Sequence, residues 1–137
     1  MTSRSIVAAA RKYIGTPFAH QGRSAYGLDC LGLLVCVARD LGLAEAAAQD
    51  VLDYAHYPDV ARLQAGLKQV LRPVRALRPG RVVLMEIDGH ARHLGVLGDY
   101  SHGHSLIHAY APARKVVEHR LDASWQARIV KVYALSS

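Results

Sequence analysis

Apolar positions in the first third of the chain follow a helical period. Ile6, Ala9, Ala10, Tyr13 and Ile14 share one face of a segment from Ser5 to Ile14, and Gly15 stops it. After a loop containing Pro17, Gly22 and Gly27, Asp29 is placed to cap a second helix from about Cys30 to Leu41, with Gly42 as its stop. That helix is apolar almost all round, as a buried central helix is. A third amphipathic segment, about Asp59 to Leu71, aligns Val60, Leu63, Leu67, Val70 and Leu71.

Pro73, Pro79 and Gly80 mark a change of regime. Beyond them, aliphatic and β-branched runs alternate with Gly, Asp and His clusters: Val82 to Ile87, His93 to Leu97, Ser105 to Tyr110, Lys115 to His119 and Arg128 to Ala134. Helices followed by strands predict an α+β domain, with the helices on one side of an antiparallel sheet of about five strands. The 137 residues fit a single domain, 1–137, and no internal repeat interrupts it.

Composition narrows the function classes. A hydrophobic fraction of 51% with 20% charged residues describes a folded globular chain. The net charge of +6 favours anionic partners, but Lys and Arg stand singly or in close pairs such as Arg11–Lys12 and Arg114–Lys115. No dense basic run with interleaved aromatics occurs, so no nucleic-acid specificity is expected. The apolar run Ile6 to Ala10 is too short for a signal peptide or a membrane span, so synthesis in the cytoplasm without a signal is the expectation.

Cys30 follows the cap Asp29 and falls in the first helical turn, where backbone N–H groups and the helix dipole favour a thiolate. Cys36 lies about 9 Å further along the axis, on a largely opposed face, so the two do not pair in a disulfide. Cys36 reads as a small buried hydrophobe. If the strands around His93 and His108 form a hairpin turning near Tyr100 to His102, positions summing to 201 pair, and the two imidazoles face each other. One ring can then take the thiol proton while the other orients it. A metal reading draws on His90, His93, His102, His104, His108 and His119, but neither a His-Glu-x-x-His nor a Cys-x-x-Cys motif accompanies them, and no cofactor is expected.

Five stretches, in this order, resemble the NlpC-type peptidase family: Gly15-Thr16-Pro17-Phe18, Leu28-Asp29-Cys30-Leu31-Gly32-Leu33, Pro79-Gly80-Arg81-Val82-Val83-Leu84, His93-Leu94-Gly95-Val96 and Leu106-Ile107-His108-Ala109. The resemblance implies a papain-like fold and a Cys-His-His triad, with Cys30 as nucleophile, His93 as general base and His108 as the orienting member. It also implies hydrolysis of the bond from gamma-D-glutamate to a diamino acid in peptidoglycan stem peptides. Phe18, His20, Gln21 and Asp29 are the expected substrate contacts, with His20 and Gln21 as nearby polar groups that can replace a hydroxyl absent at Phe18. Phe18 stands where the family often has Tyr, Leu31 where Ser is frequent and Arg81 where Asp is frequent. The run Phe18-Ala19-His20-Gln21-Gly22 is most similar to the phage and gene-transfer-agent branch, implying tail-tip or baseplate partners and action in the periplasm or cell wall. A structural tail component with little catalysis, and an amidase or acyltransferase of related fold, are the rival expectations.

Overall fold

A computed structural model describes residues 2–43 and 71–135. The first helix, α1 (Ser3–Arg11), starts with a reciprocal cap: Ser5 N–H donates to Thr2 Oγ1 at 3.1 Å and Thr2 N–H donates to Ser5 Oγ at 2.9 Å. It buries Ile6, Val7 and Ala10. The expected helix reached Ile14, but the chain leaves helical geometry after Arg11 and turns at Gly15, whose φ of +90° suits glycine.

The second helix, α2 (Cys30–Asp40), buries every residue from Cys30 to Ala38, as its apolar circumference requires. A two-stranded ribbon, β1 (Arg23–Ser24) with β2 (Gly27–Leu28), precedes it. The helix expected from Asp59 to Leu71 lies outside the described residues except for Leu71, which opens a strand instead.

Six strands form the main sheet: β3 (Leu71–Val74), β4 (Val82–Ile87), β5 (His90–Gly98), β6 (Ser105–Tyr110), β7 (Lys115–Arg120) and β8 (Ile129–Leu135). Their spatial order is β3-β8-β4-β5-β6-β7, and every pairing is antiparallel. The sheet therefore has one strand more than expected. The addition, β3, carries Pro73 and lies at an edge, where a missing N–H is tolerated. A four-residue helix, α3 (Ala123–Gln126), capped by Asp122, links β7 to β8.

Alternation along the strands divides the apolar side chains between two faces. Leu84, Leu94, Val96, Ile107, Ala109 and Val116 pack with α1 and α2. Val83, Met85, Leu97, Leu106 and Val132 form a second cluster, against which Trp125 of α3 packs. Arg11 joins α1 to the far edge: its Nε and Nη2 donate to the Glu118 carboxylate at 2.9 Å each, and Ser105 Oγ donates to the same group at 2.6 Å. Among the described residues, no helix is long and apolar enough to cross a membrane.

Candidate active site

Asp29 fixes the start of α2. One carboxylate oxygen accepts from Gly32 N–H at 2.8 Å, the N-cap bond, and from Arg23 Nη1 at 3.0 Å; the other accepts from Gln21 N–H at 2.9 Å. The loop ahead of Cys30 is thus tied down on the helix start. Gly32 permits this approach, because a Cβ there would collide with the Gly22 carbonyl oxygen.

Cys30 occupies the first helical position and is 5% exposed. It lines a narrow cleft with Phe18, Asp29, His93, Ala109, Tyr110 and Ala111. Burial, followed by the negative charge of Asp29, pushes its thiol up to about 12, while the backbone N–H groups of Leu94 and Leu31 pull the other way. A thiolate favoured by the helix start was expected. Desolvation and the capping carboxylate outweigh the helix-start amides, and the resting group is a thiol.

His93 and His108 come together: His93 Nε2 lies 2.7 Å from His108 Nδ1, with both side chains buried. The ladder differs from the expected register. Val96 pairs with Ile107 and Gly98 with Ser105, so paired positions sum to 203, because the connecting turn spans residues 99–104. A slip of two residues keeps every side chain on its face, so the imidazoles still meet, diagonally rather than directly opposite. Gly95 lies between them on that face, and a Cβ there would approach Leu106 Cδ1 to 2.5 Å and His108 Cβ to 3.4 Å.

The imidazoles and α2 occupy opposite faces of the sheet. His93 pairs with Met85 and points with it, whereas the neighbouring Leu94 packs with α2. Cys30 therefore reaches His93 only at the cleft, where the sulfur touches the backbone of Leu94; among the described residues no hydrogen bond joins the two side chains at rest. Burial lowers His93 to about 4, helped by the positive charge of Arg128. Burial also lowers His108 to about 2, with repulsion from His93 and His119 adding to it. Both rings are neutral, so the resting arrangement is a thiol and an uncharged imidazole rather than an ion pair.

Of the expected substrate contacts, Phe18 and Asp29 line the cleft. His20 is exposed on the loop, and Gln21 is half-buried, with φ +61° and its N–H turned to Asp29. Four site residues carried no decisive sequence signal. His119 Nε2 lies 2.8 Å from His108 Nε2, Tyr110 stacks on His108 with 5.1 Å between centroids, Trp125 stands edge-on to His108 at 5.0 Å, and Arg128 lies over Trp125 at 4.5 Å. His119 had figured only as a candidate metal ligand; here the ring nitrogens of 93, 108 and 119 are turned toward one another in a chain. The strand parity of His119 and the singularity of Trp125 were the available signals.

Tyr110 also borders a larger groove of about 500 Å³, whose walls include Glu86, Asp88 and Arg128.

Solved structures share this architecture at low identity. The NlpC/p60 domain of the peptidoglycan hydrolase SagA superposes with a TM-score of 0.65 at 21% identity, covering 98% of this chain and 100% of that one. An NlpC/P60 family protein from Bacillus cereus gives 0.68 at 16%, covering 96% of this chain and 39% of that one. An N-acetylmuramoyl-L-alanine amidase from Bacteroides uniformis gives 0.75 at 12%, covering 98% and 99%. No curated protein matches the sequence. The NlpC/P60 family model matches residues 15–134, nearly the whole chain and the full span from the loop before Cys30 to the last strand, and the protein belongs to the NlpC/P60 family.

Proposed function

We propose that this protein is a peptidoglycan hydrolase of the cysteine peptidase class, cutting the gamma-D-glutamyl to diamino acid bond of stem peptides with Cys30, His93 and His108. The observation that carries the reading is the 2.7 Å contact between His93 and His108 in a chain whose His93 shares a cleft with Cys30 at a helix start. SagA, whose NlpC/p60 domain has the same fold, is a peptidoglycan hydrolase, which supports the substrate class.

In this mechanism a rotation about the Cys30 Cα–Cβ bond turns the sulfur toward His93. Because the resting groups are neutral, His93 takes the thiol proton as the sulfur attacks the scissile carbonyl, which avoids a free thiolate in the buried cleft. The oxyanion that forms accepts from the backbone N–H of Cys30, one of the helix-start amides with no partner inside the helix. Protonated His93 then gives its proton to the departing amine, leaving a thioester. Water, deprotonated by the same imidazole, releases the glutamyl product and restores the thiol.

The bond is tested by mass spectrometry of defined muropeptides after digestion. New gamma-glutamyl carboxyl termini and free diamino-acid amines are the expected products. Cleavage between muramic acid and L-alanine instead would overturn the bond assignment and favour the amidase chemistry named for the Bacteroides uniformis relative in fold. The likeness of the segment from Phe18 to Gly22 to phage and gene-transfer-agent enzymes supports carriage on a tail tip. Peptide mass spectrometry of purified particles tests it, since finding the chain there is expected and finding it only outside them contradicts it.

A further inference from the structure

Beyond His93 and His108, the imidazole chain continues to the edge of the sheet, and its far end dictates the proton positions at the near end. His119 Nδ1 lies 2.9 Å from the backbone carbonyl oxygen of Arg120. A carbonyl only accepts, so Nδ1 of His119 carries the proton, and in a neutral ring Nε2 is then a lone pair. That lone pair lies 2.8 Å from His108 Nε2, which must donate to it. His108 Nδ1 is therefore a lone pair in turn, and the nitrogen 2.7 Å away, His93 Nε2, must donate. Given one proton on each ring, one arrangement alone satisfies every contact, and it leaves the lone pair of His93 on Nδ1, the nitrogen not engaged with His108.

We propose that His119 is a positioning residue that sets the tautomer of His93, through His108, so that Nδ1 is the proton acceptor of the reaction. The inference rests on the reading of His93 as the base. The geometry gives the chain a direction: residues on three successive strands, β5, β6 and β7, present their rings on one face, and a main-chain carbonyl at the sheet edge anchors the series. Trp125 holds the rings from above, with centroids 5.0 Å from His108 and 5.4 Å from His119. A ring free to take either tautomer would spend part of its time with the wrong nitrogen protonated, so losing the anchor lowers turnover rather than substrate binding.

Long-range ¹H–¹⁵N correlation spectra of the wild-type protein, recorded near neutral pH, read the tautomers directly. The expected result is protonated Nε2 and unprotonated Nδ1 on His93, with the opposite pattern on His119. In parallel, His119→Leu removes the acceptor, and His119→Gln restores one through its side-chain oxygen. His119→Leu should lower kcat about 10- to 100-fold with KM little changed, and should mix the tautomers of His93, while His119→Gln recovers most of the loss. A wild-type spectrum with His93 protonated on Nδ1 overturns the proposal, as does a His119→Leu protein with unchanged kcat and an unchanged His93 pattern. The wild-type spectrum decides even if His119→Leu does not fold. It also needs no turnover, so a wild-type protein inert on muropeptides would strike the hydrolase reading while leaving the tautomer assignment to its own result.

Discussion

Trp125 meets His108 edge to face, 5.0 Å between ring centroids with the planes 80° apart, while Tyr110 stacks on the same ring at 5.1 Å. The indole comes from a helix of only four residues, so one short element closes the site on the side away from α2. This enclosure is the physical origin of the low basicity of the histidine pair.

Acid should therefore unfold the protein early. His93 and His108 bind protons in the unfolded chain near pH 6.5 but resist them in the folded one down to about 4 and about 2. Between those limits the unfolded state binds more protons, so stability is full above about pH 6.5 and is lost as pH falls. Each group contributes a slope of order 1.4 kcal/mol per pH unit. Urea unfolding midpoints between pH 7 and 5 should fall steadily, and His108→Asn should flatten the profile. A flat wild-type profile would contradict the burial of the pair.

Alkylation of Cys30 reports its charge state. With the thiol near 12, the iodoacetamide rate, followed on the Cys30 peptide by mass spectrometry, should be slow at neutral pH and keep climbing through pH 10. A rate that levels off near neutrality would reveal a resting thiolate–imidazolium pair and contradict the neutral thiol.

Gly95→Ala probes the packing between the histidines. The added methyl would crowd Leu106 and Met85 and press on His108 Cβ. A loss of about 1–3 kcal/mol in urea unfolding is expected, together with reduced activity from the displaced ring. Unchanged stability and activity would show that the strands give way without cost.

Glu118→Ala removes the acceptor of two of the three Arg11 side-chain bonds, leaving the one to Asp99, and of the Ser105 hydroxyl, at a carboxylate held below the usual range by hydrogen bonds from Arg11 and Ser105 that outweigh its burial. About 2 kcal/mol of stability should be lost, with Glu118→Gln losing less, as thermal and urea melts would show. Equal stability of wild type and Glu118→Ala would mean that the α1 clip contributes nothing.

The strands from Val82 onward, the cap at Asp29 and the facing of His93 with His108 were legible in the sequence because each depends on local period or parity. Parity even protected the histidine pair from a two-residue error in register. The insertion of β8 between β3 and β4 was not legible, since strand order is decided by nonlocal pairing. The strand Leu71–Val74 was not legible either, since Leu71 fits the helical period that precedes it and Pro73 is accepted in a strand only because the position lies at the sheet edge. The role of His119 depends on β7 lying beside β6 and on a carbonyl contact, neither of which spacing reveals. The state of Cys30 was misread because the helix-start effect was visible in the sequence while the desolvation that outweighs it was not.

The most direct measurement of the central claim is muropeptide cleavage by Cys30→Ala beside the wild-type protein, with circular dichroism and thermal melting to show that both are folded. Cleavage by the wild type and none by the folded variant is the predicted result; a folded Cys30→Ala protein that cleaves at the wild-type rate would contradict it.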